Sequence, residues 1–85
     1  MSYYLYILYS KVGDRYYAGS SEYPIRRLKF HNTIEKGFTS RYRPWELVYT
    51  KEYGTKAEAL AAERKIKRYK SRRMIEGIIK GIVDV

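Results

Sequence analysis

The run Tyr3-Tyr4-Leu5-Tyr6-Ile7-Leu8-Tyr9 is aromatic or aliphatic at every position. An unbroken apolar run of this length, rich in aromatic and β-branched residues, predicts a buried strand. Lys11-Val12-Gly13-Asp14 reads as a turn, with a glycine where positive φ is needed. Arg15 to Gly19 reads as a second short strand, so the two form a hairpin. Register decides what the hairpin displays. With Ser10 opposite Arg15, Leu8 faces Tyr17 and Tyr6 is its diagonal neighbour on the same face. A slip by one residue sends the two tyrosines to opposite faces.

Further along, Pro24 suits a first helical position, where its missing N–H costs nothing. The helix it opens is expected to reach about Glu35, with Ile25 and Leu28 on the core side and Gly37 ending it. Phe38 to Arg43 reads as a basic loop, and Pro44 stops any helix before it. Trp45 to Tyr53 predicts a third strand, with Trp45, Leu47 and Tyr49 on one face and Glu46, Val48 and Thr50 on the other. Thr55-Lys56-Ala57-Glu58 matches a capping box, and its helix runs to about Tyr69. Ser71 caps a last helix over Arg72 to Lys80, weakened by Gly77 and Gly81. The order β-β-α-β-α-α predicts a sheet flanked by helices, an α/β chain of the α+β type.

With 85 residues, one domain over 1–85 is expected. A chain of this size buries only about 60% of its unfolded surface. Its 11 tyrosines supply apolar area with a polar tip, suited to half-buried faces and ligand surfaces. The net charge of +9 is large for such a domain and attracts polyanions. Nucleic acid is the expected partner; the competing reading is solubility alone. An anionic membrane is disfavoured, because no long Lys-rich helix carries a continuous bulky apolar face. The absence of cysteine excludes disulfides, thiolate metal sites and thiol catalysis. A reducing cytoplasm is the expected location. The first residues lack a basic n-region and a cleavage site, so no signal peptide is expected. No apolar stretch approaches the ~18 residues of a membrane span.

Several side chains carry chemistry. Glu63 neighbours Ala59, Ala62 and Ile66 on its helix, and these form the apolar stripe. It therefore points toward the sheet or its edge and needs a cation, a metal or a proton. The competing reading pairs it with Lys67, four residues on. Arg27 and His31 share one face of the first helix; guanidinium suits phosphate oxygens and imidazole works near neutral pH. Here the competing reading is a solvated basic face with Arg26 and Lys29. Each tyrosine alone reads as a strand residue with its hydroxyl at the rim. A phenol of pKa about 10 needs a nearby cation before it acts as a base at pH 7. Between Arg64 and Arg73 lie seven basic residues, Arg64, Lys65, Lys67, Arg68, Lys70, Arg72 and Arg73. With Tyr69 interleaved they suggest a surface that tracks phosphates, against a reading as a merely soluble helix exterior. Arg41 and Arg43 in the basic loop add guanidinium contacts.

In this order the residues resemble a GIY-YIG nuclease domain. Tyr4-Leu5-Tyr6 stands where that family has GIY, and Tyr17-Ala18-Gly19 where it has YIG. Arg27, ten residues after Tyr17, matches the family arginine, His31 a histidine of several branches, and Glu63 the metal-binding glutamate. The phrase from Ser40 to Tyr49 is similar to small single-domain bacterial members, the UPF0213/YhbQ-like proteins. The resemblance implies a three-stranded antiparallel sheet with helices around it. It also implies hydrolysis of a DNA phosphodiester with one divalent cation, magnesium or manganese. By position, Glu63 holds the metal and Arg27 neutralises charge on the phosphoryl oxygens. Tyr6 or Tyr17, lowered in pKa, takes a proton from the attacking water, and His31 assists or orients a tyrosine.

The chain departs from the family pattern at three places. The first triplet lacks its glycine. Ser20 follows the second triplet where several nucleases have lysine. Asn32 is the only asparagine and does not lie near the carboxyl end. The leading expectation is a metal-dependent DNA endonuclease or nuclease-like repair factor. Its rivals are a catalytically weak DNA-binding module acting with a partner and an RNA-binding basic protein. A monomer is expected, with substrate choice following DNA structure or lesion, or relying on a protein partner.

Overall fold

The computed structural model describes residues 2–69 and 71–85. Strands β1 (Tyr3–Ser10) and β2 (Arg15–Ser21) lead to helix α1 (Pro24–Thr33) and a 3-10 turn (Phe38–Tyr42). Strand β3 (Trp45–Tyr53) and helices α2 (Lys56–Tyr69) and α3 (Arg72–Ile79) complete the order. The sheet is antiparallel, with strands in the order β2-β1-β3. The expected α+β architecture is the one observed.

β1 is the central strand, which explains its unbroken apolar run. Leu5, Tyr6, Ile7 and Leu8 are all buried. Its hairpin register pairs Ser10 with Arg15, Leu8 with Tyr17 and Tyr6 with Gly19. The sheet carries a core on each face. Leu5, Ile7 and Ala18 pack with Ala62 and Ile66 of α2 and Ile78 of α3. Tyr6, Leu8 and Trp45 form the other, with Tyr17, Leu47 and Leu28 of α1 against them.

Local caps hold the later helices. The Thr55 hydroxyl accepts from the Glu58 N–H at 3.2 Å and donates to the Glu58 carboxylate at 3.0 Å. Ser71 accepts from the Met74 N–H. Gly81, at φ +79, closes α3 with bonds from its own N–H to Ile78 and from the Ile82 N–H to Gly77. That pairing satisfies carbonyls the helix end leaves open.

Several expectations are corrected. In the hairpin turn the positive φ, 50°, falls on Asp14 and not on Gly13. The alternation of β3 is broken by a bulge: Ile7 pairs with Tyr49 but Leu8 with Leu47, so Val48 is an extra residue. One inserted residue inverts the faces beyond it. Trp45 and Leu47 stay on the α1 side, while Tyr49 packs with Val48 against the α2 side. Helix α1 stops at Thr33, where the N–H groups of Ile34 and Glu35 both bond the Phe30 carbonyl. Gly37, at φ −86, opens the 3-10 turn that replaces the expected loop and does not end α1. Ile25 is 68% exposed instead of facing the core. The buried stripe of α1 runs through Leu28 and His31, and at about 100° per residue Ile25 lies about 120° round the helix from His31. Ile25 lines an open groove of ≈ 540 Å³ with Tyr4, Tyr23 and Leu47. Among the described residues no helix is long and apolar enough to cross a membrane.

Candidate nuclease site

The hairpin register sets Tyr6 and Tyr17 on the face that α1 covers, and α1 brings His31 onto both. The Tyr6 hydroxyl lies 3.1 Å from His31 Nε2 in a buried hydrogen bond. His31 Nδ1 lies 3.0 Å from the Thr39 hydroxyl. The Tyr17 ring packs on His31 with centroids 4.9 Å apart and meets Trp45 edge-on. His31 is 1% exposed and Tyr6 2% exposed, whereas Tyr17 is only half-buried. Of the two phenols, Tyr17 is therefore the more accessible.

Gly19 explains the second triplet. It pairs with Tyr6 across the strands, and a Cβ there would lie 2.5 Å from the Tyr6 hydroxyl oxygen. Only glycine leaves room for the Tyr6 ring to lie across β2 toward His31.

Arg27 is half-buried, and its guanidinium sits 4.4 Å from the centre of the Phe30 ring. Burial pushes the Tyr6 phenol above its ordinary value of 10.0, the hydrogen bond from Arg27 pulls it partly back, and the charges of Tyr17 and Glu63 add to the rise. The protein alone thus keeps Tyr6 protonated, and the depression expected of a catalytic phenol is not found there. Burial, and next the Arg27 charge, hold His31 below its usual 6.5. At neutral pH it is a neutral imidazole.

Glu63 arrives from the other side of the sheet. Its neighbours Ala59, Ala62 and Ile66 are buried, as the helical spacing predicts. At the free edge of β2 its Oε1 accepts from the Ser20 hydroxyl at 2.7 Å. Its Oε2 lies 2.8 Å from Lys67 Nζ. Ser20 follows Gly19, the partner of Tyr6, so the carboxylate stands one residue along β2 from the tyrosine pairing. Both sequence readings of Glu63 therefore hold: it reaches the sheet edge, and it pairs with Lys67.

The one carboxylate at this edge is an oxygen donor of the kind hard divalent cations take. The carboxylate is 18% exposed, anchored by Ser20, and already turns one oxygen to a positive charge. Among the described residues no three His, Cys, Asp or Glu side chains cluster. Water and substrate phosphate oxygens would complete the shell, the usual arrangement for magnesium at enzyme sites.

Of the residues read as phosphate contacts, Arg26, Lys29, Arg41, Arg64, Lys67, Arg68 and Arg73 are exposed. Arg43 is half-buried and donates to the backbone carbonyls of His31 and Glu35. Arg72 is exposed but tied to Asp14 at 2.5 Å and Glu76 at 3.3 Å. Lys70 lies outside the described residues. Arg26 also lines the Ile25 groove, but Tyr6, Tyr17, Arg27, His31 and Glu63 do not.

Three supporting residues carry no motif. Thr39 holds His31, Ser20 holds Glu63, and Asn32 grips the Trp45 backbone through both its side-chain atoms. Only Ser20 had a signal in the sequence: strand alternation puts it on the Ala18 face, toward α2.

Comparison with known proteins agrees with this geometry. The family model described as the GIY-YIG catalytic domain matches residues 2–76. The chain is 32% identical over 78 residues to the UPF0213 protein of Staphylococcus saprophyticus, covering 92% of this chain and 95% of that one. It is 33% identical to a Staphylococcus epidermidis UPF0213 protein with the same coverage. The solution NMR structure of a UPF0213 protein from Bacillus halodurans superposes with a TM-score of 0.58 at 33% identity, covering 94% of this chain and 84% of that one. Domains of this kind are of nuclease type, act on nucleic acid and generally use divalent metal ions. The chain belongs to the GIY-YIG catalytic-domain family, among the small UPF0213 proteins.

Proposed function

We propose that this domain is a metal-dependent endonuclease that cuts DNA phosphodiesters, directed by DNA structure or damage, and works as a cytoplasmic monomer in repair or recombination. One observation carries the reading: Tyr6, Tyr17, Arg27 and His31 meet on one sheet face while Glu63 reaches the adjoining β2 edge. A magnesium or manganese ion at Glu63 would supply Lewis-acid stabilisation of the oxygens of the phosphodiester. Arg27 offers a guanidinium to the phosphoryl oxygens. Tyr17, the more open phenol, takes the proton of the attacking water. The buried Tyr6–His31–Thr39 chain holds the shelf on which the Tyr17 ring rests.

A second reading draws on Glu63 having both oxygens engaged. In it the domain binds branched or damaged DNA for a partner and does not turn over. Nicking of plasmid, flap, junction and single-stranded substrates with magnesium and with manganese tests both. Glu63→Gln is expected to abolish nicking while the circular dichroism spectrum and melting point stay close to wild type. Nicking that survives this change rejects the assigned site. Salt-sensitive binding with no cleavage under either ion selects the second reading.

A further inference from the structure

In the free protein the cation facing Glu63 is Lys67, and the two partners are held very differently. Glu63 is 18% exposed and anchored by Ser20, whereas the Lys67 side chain is 52% exposed. The lysine is therefore the partner free to leave. Exposed pairs at i,i+4 contribute little, so its departure costs little. Its Nζ also lies 5.6 Å from the centre of the Tyr17 ring, so it neighbours both the carboxylate and the accessible tyrosine. A metal ion taking this Glu63 oxygen would compete with Lys67 for it. Two cations on one carboxylate repel each other, and this oxygen cannot serve both at close range.

We propose that Lys67 is the counter-ion that Glu63 exchanges for its metal, and that a nucleic-acid phosphate drives the exchange by drawing the ammonium away. The inference rests on the nuclease reading and on Glu63 as the metal-holding residue. A phosphate entering beside Tyr17 and Arg27 offers the ammonium a charged acceptor. The freed carboxylate oxygen then accepts the metal. Metal and nucleic acid consequently bind with positive coupling, and each tightens the other by the same factor. In the free protein the site stays loaded with its own lysine and takes up metal poorly. Lys67 acts here as a positioning residue, through Glu63.

Manganese binding read by electron paramagnetic resonance of the free ion tests this without any cleavage. It is measured on wild type, Lys67→Met and Glu63→Gln, each alone and with a saturating short phosphorothioate DNA duplex. Methionine keeps most of the stem and removes the charge. Lys67→Met alone is expected to bind manganese about tenfold tighter than wild type, as removal of a nearby unit charge allows. The duplex is expected to tighten wild type by a clearly larger factor than it tightens Lys67→Met, where the only gain left is that of phosphate oxygens joining the metal's shell; an equal gain in both would refute the exchange. If Lys67→Met binds no tighter than wild type while Glu63→Gln loses the ion, the exchange is refuted and the metal site stands. If Glu63→Gln binds as wild type does, the metal is held elsewhere, and the exchange falls with the site assignment.

Discussion

Gly19 stands directly across the hairpin from Tyr6, and the Tyr6 ring lies over the space where any other residue would carry its Cβ. A methyl group there would sit 2.5 Å from the hydroxyl oxygen and 2.6 Å from Cζ. The ring has no cheap escape, because it is 2% exposed and its hydroxyl is bonded to His31. Gly19→Ala is expected to destabilise the domain by about 1–3 kcal/mol through overpacking, measured by urea unfolding. In a Tyr6→Leu background the same change is expected to cost clearly less, since the clashing ring is gone. An equal cost in both backgrounds would show that the glycine serves its backbone and not the tyrosine.

The hairpin shows why much of this fold was legible in the sequence. Its register follows from a short turn and an apolar run, and both are local. The Thr55–Glu58 and Ser71–Met74 caps are local as well. What escaped was set by distant partners. The bulge at Val48 exists because β3 must serve one core with Trp45 and the other with Tyr49. The exposure of Ile25 and the burial of His31 follow from which stripe of α1 meets the sheet, the one through Leu28 and His31. His31 looked like a residue of a wet basic face. Its burial is tolerable only because Tyr6 and Thr39, one from β1 and one from the 3-10 turn, satisfy both ring nitrogens. Tyr6, Tyr17, Arg27, His31 and Glu63 were nameable in advance. That Glu63 reaches the open edge of β2, with Ser20 as its anchor, required the fold.

Burial of His31 makes stability depend on pH in a defined direction. Its folded pKa lies below the ordinary 6.5, so the unfolded chain takes up the proton first as pH falls. The stability is therefore fully present above about pH 6.5 and is lost as pH drops from there toward the folded value. The urea midpoint is expected to fall between about pH 6.5 and 5. His31→Gln is expected to flatten that segment, even if its midpoint is lower throughout. Glu35 is held below its ordinary 4.5 chiefly by the Gly37 N–H. Its stabilisation is present above that value and is lost only as pH falls below it, so the two windows separate. A wild-type midpoint that stays level down to pH 5 would contradict a neutral buried imidazole.

The internal ties of Arg72 and Arg43 divide the basic residues into two groups. Arg64 and Arg68 are exposed on α2, while Arg72 is engaged by Asp14 and Glu76 and Arg43 by backbone carbonyls. Each arginine that neutralises a phosphate steepens the fall of binding with salt by about one unit of slope on a log–log plot. Arg64→Ala and Arg68→Ala are each expected to reduce that slope by about one. Arg72→Ala is expected to leave it nearly unchanged and instead to weaken hydrogen-exchange protection in α3, which loses its tie to the hairpin turn. A slope change at Arg72 equal to that at Arg64 would return it to the phosphate-binding set.

Asn32 ties α1 to the start of β3. Its Oδ1 accepts from the Trp45 N–H at 2.6 Å and its Nδ2 donates to the Trp45 carbonyl at 3.1 Å. Trp45 in turn donates from its indole to the Thr39 carbonyl at 2.7 Å and packs edge-on against Tyr17. One amide side chain thus fixes the residue that supports both the base candidate and the holder of His31. Asn32→Ala removes both bonds to the buried Trp45, a loss of about 1–3 kcal/mol. Asn32→Asp keeps an acceptor for the N–H but sets a negative charge against the carbonyl, so it is expected to rescue only part of that loss. Trp45 is the only tryptophan in the chain, so its emission reports this position alone. A red shift is expected in Asn32→Ala and a smaller one in Asn32→Asp. Nicking is expected to fall in parallel as the Tyr17 shelf loosens. Emission and stability both unchanged in Asn32→Ala would mean that the tryptophan is seated by its ring contacts and needs no grip from α1.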